Sequence, residues 1–209
     1  MFFGRASRVP LFGIGRPAEE EEPDETGKWR LLDLRDRAVI GVMAYTCARV
    51  SAVCDLRVQD YIDLGRNCVL RLHEKGGVER DIPVHPKLAE YIDAWREASK
   101  AHAIKHSVSV LGASPLFPAF THQGGRMSVR PLAREDVFTM VKGRLRSAKL
   151  PAIFSNHSFR ATAITDFLEN GGKLETAQQI ANHADSRTTK LYDKRATRLE
   201  LSEIVRISY

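Results

Sequence analysis

Apolar residues recur at helical spacing along most of the chain, and this pattern predicts a mainly helical protein. Asp33 is expected to cap the first helix, and Gly171-Gly172 to end the fifth. A last helix is expected in the tail, over residues 199–207. The other predicted helices span residues 33–47, 50–56, 86–103, 132–148, 157–170, 173–182 and 188–195.

Two shorter runs, residues 67–73 and 78–83, alternate between apolar and polar side chains and predict a β-hairpin. The segment Glu74-Lys75-Gly76-Gly77 between them is typical of a turn. Pro83 places the second strand at an edge or at its own end. Residues 106–130, rich in Gly, Pro and Ser, are expected to be an irregular connection. The expected fold class is therefore α+β, mostly α-helical, with helices around a small antiparallel sheet.

The first 28 residues differ in composition from the rest of the chain. They contain Gly, Pro and the acidic run at residues 19–22, which predicts a flexible lead or linker. Ordered structure is expected to begin near Trp29. We therefore expect one domain over residues 29–209, a length sufficient for one substantial core.

Charge and cysteine content narrow the class of protein. The net charge is +6, and its basic surplus lies outside the first 30 residues; this favours a polyanionic partner such as nucleic acid, although an anionic membrane surface also fits. No apolar run approaches transmembrane length. The three cysteines show neither a disulfide framework nor zinc-ligand spacing, which favours buried thiols in a reducing cytoplasm.

Several polar residues lie where a core would favour apolar ones. Arg49 falls between two largely apolar helices, and His157 and Arg160 are three residues apart, so they share one helix face. Tyr192 follows His183 by nine residues and is expected on the last strong helix. Taken one at a time, each has an ordinary structural explanation, such as an arginine at a helix end or a half-buried core tyrosine.

Taken together, these residues resemble the motifs of the tyrosine recombinases and integrases. Residues 157–162 (HSFRAT) resemble the His-x-x-Arg box of that family, and His183 with Tyr192 resembles its final box. Residues 45–51 (YTCARVS) resemble the first arginine box, Asp60 lies where an Asp commonly ends that box, and Lys75 matches the lysine of the hairpin. The resemblance extends from about residue 31 to about residue 207.

The resemblance implies a catalytic domain that cuts and rejoins DNA through a 3′-phosphotyrosine. Arg49 and Arg160 would hold the non-bridging oxygens of the scissile phosphate, and Tyr192 would attack it. His157 would act as base or position the proton of Tyr192, Lys75 would act as general acid, and His183 would donate a hydrogen bond to the phosphate. The phosphotyrosine stores the bond energy, so no metal and no cofactor is expected.

The sequence departs from the family pattern at three places. Ala52 stands where relatives commonly carry an acidic residue that braces the first arginine, and Ala181-Asn182 replaces the usual Leu-Gly. The helical N-terminal clamp domain is expected to be absent, because fewer than thirty residues precede the matching region. We therefore expect DNA binding that is weak and falls sharply from low to physiological salt.

The partners follow from the resemblance and from charge. Double-stranded DNA is the expected substrate, bound by a tetramer on synapsed DNA, with the chain a monomer or weak oligomer in solution, and the tail 199–207 is a candidate for docking on a neighbouring subunit. The expected location is cytoplasmic and nucleoid-associated. Candidate DNA contacts lie on the basic helix 132–148: Arg134, Lys142, Arg144 and Arg146.

Three alternatives stay open at this point. A type IB topoisomerase shares the mechanism but needs one DNA site and no synapsis. A catalytically inactive or truncated relative would act only as a DNA-binding module. A basic helical domain whose residues match by coincidence would have to account for six ordered matches. Formation of a covalent DNA adduct separates the active enzymes from the other two.

Overall fold

The computed structural model describes residues 28–74, 76–121, 125–183 and 186–193. The expected fold class, mostly helical with small antiparallel sheets, is confirmed. The predicted lead before Lys28, the hairpin residue Lys75 and the predicted tail helix 199–207 lie outside the described residues. The elements are α1 (Lys28–Thr46), α2 (Val50–Asp55), a 3-10 turn (Val58–Asp60), β1 (Tyr61–Asp63), β2 (Cys68–Glu74), β3 (Val78–Pro83), α3 (Pro86–Lys105), β4 (Pro118–Phe120), β5 (Met127–Pro131), α4 (Arg134–Ser147), α5 (Asn156–Glu169), α6 (Leu174–Ala181) and α7 (Ser186–Lys190).

The main core is organised around α1, which packs against both α3 and α5. Gly41 permits a close approach of α3, because a Cβ at that position would lie 3.0 Å from Cδ1 of Leu88. Trp95 of α3 is fully buried, and its indole N–H donates to the carbonyl of Leu116 at 2.8 Å. That bond satisfies the polar atom of a large apolar side chain and fixes the chain that leads into β4.

The predicted hairpin is present as β2 and β3, within an antiparallel sheet of order β1-β2-β3. The register pairs Leu70 with Ile82, and Glu74 with Val78. Pro83 is the last residue of β3, an edge strand, as expected from its missing amide hydrogen. Strand β1 was not predicted, because three residues are too few to show a period-two pattern.

The expectation of an irregular connection over residues 106–130 was wrong in part. Strands β4 and β5 pair antiparallel there, with Phe120 opposite Met127. Pro118 and Pro131, which sit opposite each other at the outer end of this pair, made the segment resemble a loop in sequence. The backbone is nevertheless paired, and Leu132 N–H donates to the Phe117 carbonyl at 3.0 Å.

The start of the first helix was also predicted incorrectly. Asp33 does not cap α1, which begins at Lys28 and runs through Asp33. Asp33 and Asp36 accept hydrogen bonds from Arg144 of α4; its Nη2 lies 2.6 Å from Oδ2 of Asp36. The carboxylate at residue 33 is therefore explained by a contact with a distant helix rather than by capping.

A second apolar cluster lies beside the main core and joins α5 to α6. Its buried members include Ile164 and Leu168 of α5, and Ala177 and Ala181 of α6. Cys47 joins the same cluster from the turn that follows α1. This cluster fixes the end of α6, from which the chain continues to His183, relative to the turn that presents Arg49.

Candidate active site

A pocket of about 290 Å³ lies between the turn joining α1 to α2 and the N-terminus of α5. It brings together three residues that the sequence singled out, Arg49, His157 and Arg160. The prediction that His157 and Arg160 share one helix face is confirmed. The 14-residue helix α5 directs its amino end at this pocket, and its unpaired N–H groups favour an anion there. The lining also includes Ala48, Val50, Phe138, Ser155 and Asn156.

Arg160 is the buried cation of the pocket, with only 4% of its surface exposed. Its guanidinium donates to the carbonyls of Cys47 and Ala181, which fix its plane and use two of its five N–H groups. Burial and the neighbouring charge of Arg49 lower the pKa of Arg160. The lowered pKa means that the charged form of Arg160 is destabilised at this position, and that a bound anion would stabilise it.

Arg49 is the more accessible cation, with 43% of its side chain exposed. Its backbone is extended, so that it precedes α2 as the cap residue. Its Nη1 donates to Oε2 of Glu74 at 2.9 Å, and its Nη2 lies 3.5 Å from the carbonyl oxygen of Asn182. The other oxygen of Glu74 accepts from Nη2 of Arg80 at 3.0 Å.

Glu74 was assigned to the hairpin turn from the sequence, but it is the last residue of β2 and its side chain is 1% exposed. The alternation of the strand contained the signal, because Leu70, Leu72 and Glu74 form one inward row. Ala52, which stands where relatives commonly carry an acidic residue that braces the first arginine, is fully buried in α2. The carboxylate that contacts Arg49 comes from the sheet instead.

The end of α6 turns the chain toward His183. Asn182 adopts the left-handed conformation with φ 48°, which asparagine tolerates better than most residues, so its replacement of glycine is accommodated. The Nδ1 of His183 lies 2.9 Å from the Thr189 hydroxyl oxygen. Burial, followed by the charges of Arg160 and Arg49, lowers the pKa of His183. His183 is thus within the electrostatic reach of the pocket.

Tyr192 lies in the turn that follows α7, not within a helix as predicted, because α7 ends at Lys190. Its N–H donates to the Thr189 carbonyl at 3.0 Å. Its ring stacks on that of His183 with 6.2 Å between centroids, and it is half-buried against the second cluster. The final two predicted residues are therefore neighbours of each other, and neither of them lines the pocket.

The four candidate DNA contacts on α4 have different surroundings. Arg134 and Arg146 are exposed. Lys142 donates to the carbonyls of Ala152 and Phe154 at 2.5 and 2.7 Å. Arg144 is bound to the two aspartates of α1, so its guanidinium has partners within the fold, which makes it a poor candidate for a DNA contact.

The described part of the chain also bears on two other classes of site, metal centres and membrane-spanning helices. Among those residues, no group of three or more His, Cys, Asp and Glu side chains is arranged to hold a metal ion. Over the same ranges, no helix combines the length and apolar character needed to span a bilayer.

Comparison with known proteins identifies relatives for nearly the whole chain. The profile of the phage integrase family matches residues 23–198. Tyrosine recombinase XerD from Lacticaseibacillus casei is 30% identical over 190 residues, which cover 90% of this chain and 59% of that protein. The XerD of Staphylococcus saprophyticus is 28% identical over 158 residues, covering 76% of this chain and 49% of the relative. The chain thus spans about half the length of the curated relatives it matches.

Solved structures show the same fold. The XerH recombinase bound to its difH substrate, in a pre-cleavage complex, superimposes with a TM-score of 0.64 at 19% identity, covering 94% of this chain and 49% of that one. The XerA recombinase gives a TM-score of 0.61 at 22% identity, over 87% of this chain and 62% of that one. The Tn1549 transposon integrase in complex with circular intermediate DNA gives 0.57 at 16%, over 91% and 66%.

Proposed function

The chain belongs to the phage integrase family, and on that premise we propose that it breaks and rejoins double-stranded DNA through a covalent 3′-phosphotyrosine at Tyr192. The observation that carries the proposal is the pocket in which Arg49, Arg160 and His157 meet the N-terminus of α5. These groups suit a phosphodiester, the charges of the two arginines reach His183, and Tyr192 stacks on His183.

The charge of the pocket favours a phosphodiester. Arg49 and Arg160 line the pocket, and Arg80 pairs with Glu74 outside its lining; the carboxylate of Glu74 balances one of these three positive charges. Arg160 is buried and its pKa is lowered, so a bound anion would relieve the cost of keeping it charged. Two guanidiniums also match the non-bridging oxygens, on which negative charge increases as the pentavalent state forms.

The two histidines take different parts in the proposed reaction. The lowered pKa of His183 keeps its ring neutral at neutral pH, and the Thr189 hydroxyl at Nδ1 leaves Nε2 to donate to a non-bridging oxygen. His157, exposed at the amino end of α5, is our candidate for accepting the proton of Tyr192. A phenol has a reference pKa of about 10, so its attack on phosphorus requires such help.

Two steps rest on the family resemblance together with the sequence. Lys75 follows the last residue of β2, and we assign to it the protonation of the leaving 5′-oxygen. Arg134 and Arg146, exposed on α4, are the proposed contacts with the DNA backbone, with Lys142 as a third candidate. The Tn1549 transposon integrase was solved in complex with circular intermediate DNA, which supports DNA as the substrate here. Exchange of two duplexes then calls for a tetramer.

A trapping experiment tests the reaction. The chain is incubated with a pool of nicked duplexes of randomised sequence, in which the cleaved end diffuses away and the protein stays attached. We expect an adduct that resists denaturant, formed at least about tenfold more slowly by Arg49→Lys, because lysine keeps the charge but lacks the planar fork. Absence of an adduct on duplexes that the chain demonstrably binds would contradict the proposal and favour an inactive DNA-binding relative.

A further inference from the structure

The carboxylate of Glu74 bridges two guanidiniums behind the phosphate pocket. One oxygen accepts from Arg49 at 2.9 Å and the other from Arg80 at 3.0 Å, while the Glu74 side chain is 1% exposed. A carboxylate with that little contact with water is stable as an anion only when it is paired and hydrogen-bonded. Both of its oxygens meet that condition, so its position is fixed by two charged contacts.

The exposures of the three side chains show that Arg49 extends from the buried carboxylate toward the surface. Exposure rises from 1% at Glu74 to 15% at Arg80 and 43% at Arg49. The Nη1 of Arg49 is held at its buried side by the carboxylate, and the side chain also lines the pocket. A guanidinium has five N–H groups, so Arg49 keeps donors for a phosphate while one edge is anchored.

Arg80 extends the link from the hairpin to the end of α6. Its Nη1 donates to the carbonyl of Ile180 and lies 3.3 Å from that of Gln179. Arg49 itself lies 3.5 Å from the carbonyl oxygen of Asn182, one residue before His183. The Glu74 carboxylate therefore links β2 to the cap of α2 through Arg49, and links it to β3 and the end of α6 through Arg80.

We propose that Glu74 is the positioning residue for Arg49. It orients the guanidinium toward the scissile phosphate and couples it, through Arg80, to the end of α6 that carries His183. The carboxylate thus does from the sheet what an acidic side chain on α2 would do, at a point in the fold where Ala52 offers none. The effect of Glu74 on cleavage rests on the proposed function, whereas its effect on Arg49 does not.

If Glu74 positions Arg49, its substitution should lower the cleavage rate but not DNA affinity. Glu74 is an anion close to a phosphate site, so neutralising it removes a repulsion and leaves DNA affinity unchanged or higher. A freed Arg49 holds the pentavalent state less well, so the cleavage rate should fall by about tenfold to a hundredfold, the usual range for a lost hydrogen bond to a charged group. A purely structural role would lower stability, affinity and rate together.

Glu74→Gln is the test variant, because it keeps the shape and removes the charge. Glu79→Gln is its matched control: it makes the same change on the same hairpin, at a side chain that is 63% exposed and contacts His73. Affinity for nicked duplexes and the rate of adduct formation are measured for both. Slower cleavage at equal or tighter binding, for Glu74→Gln alone, supports the proposal. A rate equal to that of the unsubstituted protein overturns it, as does an equal loss of rate and affinity.

A second measurement does not depend on DNA cleavage. The side-chain Nε–Hε NMR signal of Arg49, assigned by its loss in Arg49→Lys, should shift and exchange faster with water in Glu74→Gln but not in Glu79→Gln. An unchanged signal overturns the proposal even if adducts form. A shifted signal in a chain that forms no adduct leaves the positioning role standing and rejects the proposed function. If Glu74→Gln unfolds, Glu74→Asp keeps the charge but withdraws it by one methylene, and the same shift is expected.

Discussion

The imidazole Nδ1 of His183 lies 2.9 Å from the hydroxyl oxygen of Thr189, and Thr189 is fully buried. The same threonine accepts the N–H of Tyr192 at its carbonyl, at 3.0 Å. One residue of α7 therefore sets both the ring of the histidine and the backbone of the proposed nucleophile. The final motif is thus a connected unit in three dimensions as well as a spacing in sequence.

Removal of the Thr189 hydroxyl should slow the reaction without unfolding the chain. Thr189→Val keeps the volume and loses one hydrogen bond of about 1 to 1.5 kcal/mol, so adduct formation should slow about tenfold. The exposed neighbour in Thr188→Val is the matched control and should leave the rate unchanged. Equal rates for the two variants would show that the contact with His183 is unimportant.

The pH dependence of stability should carry a contribution from His183. Burial, together with Arg160 and Arg49, lowers its folded pKa below the ordinary value of 6.5, so between the folded pKa and 6.5 the unfolded chain binds more protons. Stability is therefore lost as the pH falls through that window, and is fully present above it. The free energy of unfolding, measured with urea at a series of pH values, should fall less steeply with decreasing pH for His183→Gln than for the unsubstituted chain. Identical slopes would argue against a depressed pKa.

Arg144 and Arg146 should behave differently although both lie on α4. Arg144→Met removes the guanidinium that the carboxylates of Asp33 and Asp36 share, although Asp36 keeps its contact with Arg35, and should lower the free energy of unfolding by about 2 to 4 kcal/mol. The exposed Arg146→Met should change it by no more than about 0.5 kcal/mol.

DNA binding should show the reverse order for these two variants. Loss of a phosphate contact at Arg146 should reduce the salt dependence of DNA affinity, measured at temperatures where both variants are folded. A stable Arg144→Met that binds DNA poorly would overturn the assignment of Arg144 to the fold.

The three thiols should react in an order set by burial. Burial raises the pKa of both Cys47 and Cys54 to about 11, so at pH 8 about one thiol in a thousand is ionised at each. Cys68 is only partly buried and should be alkylated first by iodoacetamide, as followed by mass spectrometry. Rapid modification of Cys47 in the native chain would mean that the turn beneath Arg160 opens readily.

The sequence predicted those features that depend on local periodicity or on motif spacing. The positions of α3 and of the β2–β3 hairpin followed from their patterns, and the meeting of His157 with Arg160 from their spacing. Contacts between distant elements could not be predicted from local sequence. Asp33 resembled a helix cap because the residues around it do not indicate its contact with Arg144. The inward position of Glu74 was visible in the alternation of β2, but its two arginine partners were not. Tyr192 was placed on a helix because a helical pattern does not reveal where the last turn ends.

The most direct test of the central claim is to identify the residue that becomes joined to DNA. Adducts trapped on nicked duplexes are digested with nuclease and trypsin, and the nucleotide-bearing peptide is sequenced by mass spectrometry. We expect the nucleotide on Tyr192, no adduct with Tyr192→Phe, and a normal yield with the control Tyr91→Phe on α3. An adduct that persists in Tyr192→Phe, or a nucleotide on another residue, would contradict the account.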